Sequence, residues 1–148
     1  MKLEARSYVQ IPRSAHEVYE AIVDPAHMRH YFISSGTGRL EPGHVVTWRW
    51  DDVGAEIPVQ VIEAEPDSHV VLAWAATGID TVITVELTPL GDHATAVEVV
   101  ERGWDPDPDG IASYGEQTGG WVDMLLCLKV YLVYGINLRT GEVLDQRA

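Results

Sequence analysis

Glu101 is the ionisable residue whose position says most about chemistry. Strand-like alternation sets it on the same face as Val97 and Val99, the face that an antiparallel sheet would turn toward a covering layer. A carboxylate held there is desolvated, which is how proteins prepare general acids. If the strand instead ends at Glu101, the side chain turns out to solvent at a cavity mouth. Trp48, Trp50, Trp74, Trp104 and Trp121 are a second supply of chemistry. Each can line a pocket and donate one N–H to a ligand, or simply fill a core.

The remaining motifs argue mainly against particular chemistries. Asp105, Asp107, Asp109 and Gly110, with Glu116 further on, fit the spacing of a calcium loop. A strand rather than a helix precedes them, and Pro106 and Pro108 stiffen the turn, so the expectation is an acidic turn leading into the last helix. His27 and His30 share a helical face but have no evident third ligand for zinc, and no metal or cofactor is expected. The G-x-G of Ser34 to Gly38 opens no helix and is not a nucleotide fingerprint. No G-x-S-x-G elbow occurs. Cys127 lies in an apolar helix without an activating neighbour, the setting of a small buried hydrophobe.

The chain has 148 residues, with 23 acidic against 10 basic and a formal charge of −13. That surface repels phosphate backbones and anionic headgroups, which argues against a nucleic-acid partner. The N-terminal residues contain no apolar run of the secretory type. A cytoplasmic protein with no membrane insertion is expected. By length it is one domain, 1–148, with about 139–148 as a C-terminal tail.

The elements that must position these groups read clearly in outline. Leu3 to Ile11 is a strand ending at Pro12. Ser14 with Glu17 predicts a capped helix, which Asp24-Pro25 ends, and a second short helix is expected over Ala26 to Phe32. From residue 37 the period is two. Strands are expected at Val45 to Asp51, Glu56 to Glu63, Val70 to Ala76, Thr81 to Leu87 and Thr95 to Glu101, separated by Pro-, Gly- and Asp-rich turns. The run Gly119 to Gly135 is then a helix, apolar nearly all round, with Asp123 and Lys129 as its only charges. Such a helix needs cover on more than one face. Trp121, Leu125, Leu128 and Leu132 form the stripe expected against the sheet. Val122, Leu126, Val130, Val133 and Tyr134 lie on the other sides, where they invite local cover, a homodimer or another protein partner. The fold class is α+β, one antiparallel sheet with a helix across it.

This order of elements, with Gly120-Trp121-Val122-Asp123-Met124-Leu125-Leu126-Cys127-Leu128-Lys129 near its end, resembles the START-like (SRPBCC) helix-grip superfamily. The branch it is most similar to is the one related to the activator of heat-shock-protein-90 ATPase. Ile11-Pro12, Val18-Tyr19, Asp24-Pro25 before Tyr31-Phe32, Pro42-Gly43, Leu72-Ala73-Trp74 and Val82 to Leu87 carry the same resemblance. Together these pieces cover residues 3 to about 138. The resemblance implies a curved antiparallel sheet gripping the C-terminal helix, two short helices after the first strand, and an elongated apolar cavity between sheet and helix. It also implies binding of a hydrophobic or aromatic small molecule: a lipid, a sterol or a polyketide-like compound. With the aromatic inward face, the expected lining is Trp48, Trp74, Val85, Val99, Glu101, Trp121, Leu125 and Leu128. Two rival readings stand beside it. One is a cyclase- or hydrolase-type enzyme using Glu101 as acid or base. The other is a co-chaperone-like interaction module, although the sequence predicts no additional chaperone-binding domain within it.

Overall fold

The computed structural model describes residues 1–144. Strand β1 (Leu3–Ile11) is followed by helices α1 (Ala15–Val23) and α2 (Pro25–Met28). Strands β2 (Ser35–Gly36), β3 (Val45–Trp50), β4 (Ala55–Glu65), β5 (His69–Trp74), β6 (Thr81–Pro89) and β7 (Thr95–Trp104) come next. The long helix α3 (Pro108–Tyr134) and a small hairpin, β8 (Ile136–Asn137) with β9 (Glu142–Val143), complete the described chain. The first seven strands form one antiparallel sheet in the order β1-β7-β6-β5-β4-β3-β2, so the first and penultimate long elements of the chain lie side by side. Helix α3 lies across the sheet in the expected helix-grip arrangement. No helix among the described residues is long and apolar enough to cross a membrane.

The caps explain the helix boundaries. Ser14 accepts the Glu17 N–H at 3.2 Å, and its own hydroxyl reaches the Glu17 carboxylate at 3.1 Å. Asp24 ends α1 and accepts the Ala26 N–H at 2.9 Å, with Pro25 in the first turn of α2. Helix α2 is therefore shorter than the expected span of Ala26 to Phe32, and turns lead from it through Phe32 to Ile33. Asp107 caps α3 by accepting the Gly110 N–H at 2.8 Å, Pro108 follows, and Gly135 closes the helix in the left-handed region at φ 63°.

One expectation is corrected here. Helix α3 begins at Pro108 rather than Gly119, because an Asp cap followed by proline starts a helix even where the next residues are polar and glycine-rich. Within the segment expected as a tail, Glu142–Val143 forms β9 and pairs with β8, and residues 145–148 lie outside the described residues. An early helix start also disposes of the calcium-loop spacing. Asp109, Gly110 and Glu116 are helical, and Asp105 instead meets Lys2 at 2.7 Å.

The space between sheet and helix is mostly filled. Val85, Val99, Leu125 and Leu128 are all buried in one continuous cluster with Val59, Val61, Leu72 and Ile83. On α3, Trp121, Met124, Leu125, Cys127 and Leu128 turn inward. Leu132 is half-buried against the same core, as are Val133 and Tyr131. Val122, Leu126 and Tyr134 stay exposed.

Candidate functional site

The carboxylate of Glu101 is fully buried and is held by four donors from three different elements. Its Oε2 accepts the Trp74 indole N–H at 2.9 Å and the Thr81 hydroxyl at 2.6 Å, from β5 and the start of β6. Its Oε1 accepts the Trp121 indole N–H at 2.8 Å and the Gln117 side-chain amide at 2.9 Å, both from α3. Among the described residues no cation pairs with it. A buried anion survives without a counter-charge only where hydrogen bonds replace its water, and here both oxygens are supplied. Gly103 brings part of that set together. At φ 138° it has no side chain, and a Cβ there would lie 2.9 Å from the Asp80 carbonyl oxygen and 3.3 Å from the Thr81 Cα. The glycine thus lets Thr81 approach β7 closely enough to reach Glu101.

Sharing one acceptor group aligns the two indoles. Trp74 and Trp121 are stacked with ring centroids 5.6 Å apart and planes 26° apart. Around them Phe32, the only phenylalanine in the chain, contacts Trp48 and Trp50 edge-on at 5.4 and 5.3 Å and Trp121 at 5.9 Å. Trp50 donates its indole N–H to the Phe32 carbonyl at 2.8 Å, which ties the chain after α2 to β3.

Against this aromatic wall lies a cleft of about 330 Å³. Tyr31 and Phe32 contribute to it from the turn after α2. Trp50, Val53, Ala55 and Ile57 come from the β3–β4 hairpin, and Trp74 and Ala76 from the end of β5. Gln117, Gly120, Trp121, Asp123 and Met124 of α3 form the opposite side, with Arg139 from the β8–β9 hairpin at its edge.

The cleft exists because two strands part company. The ladder between β4 and β5 runs only as far as Gln60–Ala73. Val61 exchanges backbone hydrogen bonds with the Gly43–His44 turn on the β3 side, so alternation turns Pro58 toward β5. Proline has no N–H to give there, and beyond it Ala55 and Ile57 separate from Trp74 and Ala76. Gly120 provides room on the other side. A Cβ at this position would meet nothing within 4 Å, so the free volume begins at the helix backbone.

Of the eight side chains expected to line a cavity, Trp74 and Trp121 do line this cleft. Glu101 lies behind the wall, touching the cleft only through the residues that donate to it. Val85, Val99, Leu125 and Leu128 pack in the core, and the free space sits at one end of the sheet rather than along its middle. Trp48 is also core, and its indole N–H has no hydrogen-bond partner among the described residues. It meets Phe32, Trp50 and Trp74 edge to face. Trp104 stands apart, donating to the Thr77 hydroxyl at 3.1 Å. Reading strands by alternation missed Phe32, Gln117, Gly120 and Arg139. Of these, Phe32, in the Tyr31-Phe32 pair, and Gly120, at the head of the Gly120-to-Lys129 run, had a signal only as parts of a family resemblance.

The other polar candidates serve packing. His27 meets the Tyr131 hydroxyl at 2.6 Å and His30 stacks on the same ring at 5.5 Å. Both thus clamp the α2 segment to α3. Burial lowers the affinity of His30 for a proton and raises the pKa of Tyr131. Burial, with the neighbouring Asp123 carboxylate, raises the Cys127 thiol above its ordinary value, the opposite of what an attacking thiolate needs.

Replacing Glu101 with Gln puts an amide N–H₂ among groups that donate. Denaturant unfolding is expected to show a loss of about 2–4 kcal/mol for Glu101→Gln, with a shifted tryptophan emission. A variant as stable as the parent, with unchanged emission, would contradict this account of the network.

The fold recurs in solved structures. A protein from Staphylococcus saprophyticus is 28% identical, with a TM-score of 0.78 over 90% of this chain and 93% of that one. A protein in the dynemicin biosynthetic locus is 22% identical, with a TM-score of 0.81 over 97% of this chain; this chain spans about half of it, 51%. The Aha1 dimer from Colwellia psychrerythraea is 20% identical, with a TM-score of 0.77 over 90% of this chain and 98% of that one. At such identities the latter two likenesses speak for the fold alone. No curated protein matches. The family model described as Activator of Hsp90 ATPase homolog 1-like protein matches residues 12–133, and the chain belongs to that family.

Proposed function

We propose that the protein binds a compact, planar aromatic molecule in the cleft beside Trp74 and Trp121. The observation that carries this reading is the stacked indole pair, fixed from behind by Glu101 and facing free volume that begins at Gly120. Ring faces held in place offer dispersion and offset stacking at little entropic cost to the protein. The volume, about 330 Å³, is at the low end for ligand sites, which run from about 300 to 1,000 Å³. It suits two or three fused rings better than a sterol or an extended acyl chain. One structural neighbour is a putative protein in a dynemicin biosynthetic locus, which is in keeping with a small-molecule ligand.

The acid–base enzyme reading has less support. Glu101 spends both oxygens on protein donors and is not part of the cleft surface, so a substrate would have to displace Trp74 or Trp121 to reach it. A second reading concerns partners. Ile111, Val122 and Leu126 are exposed along one side of α3, interleaved with Gly115 and Gly119, whose positions have no neighbour within 4 Å. We infer that a second copy of the chain covers this stripe, as a bare helix face permits close approach; the Colwellia neighbour is a dimer. Light scattering should give twice the chain mass, falling to one chain in Leu126→Glu. A monomeric parent would end this reading.

The ligand reading is tested with N-phenylnaphthylamine, a neutral probe that fluoresces when it leaves water. Enhancement is expected with the parent protein. Gly120→Phe, which fills the cleft from a site where a Cβ has room, should abolish it, while Gly115→Phe on the outer face should not. No enhancement in the parent, or undiminished binding by Gly120→Phe, contradicts the reading.

A further inference from the structure

The β8–β9 hairpin is too small to have a core of its own, yet it is carefully built. Asn137 is buried, and its side-chain oxygen accepts the backbone N–H of Arg139 at 3.1 Å and of Thr140 at 3.3 Å. Its carbonyl accepts the Gly141 N–H at 2.7 Å. This turn has one side chain that reaches the cleft, Arg139. The guanidinium crosses to the opposite rim, where Nη2 meets the Asp52 carboxylate at 2.7 Å and Nη1 donates to the Phe32 carbonyl. Among the described residues lining the cleft, Arg139 is the only base and Asp123 the only acid. Asp123 lies near the Cys127 thiol of its own helix, at 4.0 Å.

A chain with a formal charge of −13 does not attract anions by its overall field. A single arginine presented at an aromatic cleft by a dedicated turn is therefore a local device. Its ion pair with Asp52 is half-exposed, 27% for the arginine side chain and 58% for the aspartate. Pairs of that kind are weak and readily exchanged. A guanidinium carries five N–H donors in a fork suited to a carboxylate or sulfonate, and the contacts described here use only two of its nitrogens.

Resting on the cleft-binding reading above, we propose that the ligand is an acidic aromatic molecule. Its rings lie against Trp74 and Trp121, and its anionic group takes Arg139 from Asp52. Arg139 is then the residue that discriminates acidic from neutral aromatics, and Asp52 competes with the ligand for it.

Two probes that share a skeleton separate this from simple aromatic binding: anilinonaphthalene sulfonate, which is anionic, and N-phenylnaphthylamine, which is not. The readout is the ratio of their affinities, so any general loosening by a substitution cancels. The parent is expected to prefer the sulfonate by about tenfold, the worth of one charge-assisted hydrogen bond. Arg139→Gln should bring the ratio to about one, and Asp52→Asn should raise it severalfold by freeing the guanidinium. Equal affinities in the parent, or an unchanged ratio in Arg139→Gln, would overturn the inference while leaving aromatic binding in place. A ratio that falls in Asp52→Asn would also overturn it, since the pair would then be only structural. If neither probe binds the parent, the cleft reading fails and takes this inference with it.

Discussion

A buried carboxylate with no cation beside it among the described residues is the constraint around which this end of the molecule is organised. Removing Glu101 from water carries a large cost that only a full set of donors offsets. Those donors come from β5, β6 and α3. Meeting that need therefore fixes the helix over the sheet at one point and orients two indoles in the same step. Apolar packing elsewhere along α3 is non-directional and would tolerate small shifts of the helix. The four hydrogen bonds to Glu101 would not. A polar network that is fully satisfied specifies one arrangement, and here the arrangement leaves two ring systems stacked beside empty space.

That space is obtained locally, by withholding contacts rather than by hollowing the core. Pro58 stops a ladder, Gly120 withholds a side chain, and the sheet and helix pack normally elsewhere. Glycine in a helix interior costs about 1 kcal/mol relative to alanine, so leaving Gly120 there sacrifices stability at a place where no neighbour requires a small residue. Such sacrifices concentrate where a surface is kept for something else. The aromatic side chains around the cleft are themselves locked, Trp50 to the Phe32 carbonyl and Trp74 and Trp121 to Glu101. The wall is preorganised, which lowers the entropic cost of binding.

The sequence made most of the frame legible. Period-two alternation located the long strands, and it put Glu101 inward correctly, because a one-residue register slip would turn a whole strand inside out. Helical spacing found Trp121, Leu125 and Leu128. What stayed hidden has physical reasons. The polar, glycine-bearing first third of α3 has no apolar period, so only the cap at Asp107 and Pro108 betrays it. Where the cavity falls depends on which core positions pack tightly, and periodicity is blind to volume: Val85, Val99, Leu125 and Leu128 face inward as expected but leave no room. Pro58 was visible inside an expected strand, yet its effect depends on whether its missing N–H points to β3 or β5. Arg139 reaches the cleft from outside the sheet and helix altogether, through a turn whose geometry no pattern of hydrophobic residues records.

We propose the carboxylate-fixed indole pair as the wall that a ligand meets. The most direct measurement follows the five indole N–H signals of isotope-labelled protein, together with the leucine methyl signals, while N-phenylnaphthylamine is added. Trp74 and Trp121 should be protected from exchange before addition and shift on binding, with Trp50 moving as well and Trp104 staying in place. Shifts confined to Trp104, or to the Leu125 and Leu128 methyls with Trp74 and Trp121 unmoved, would contradict it.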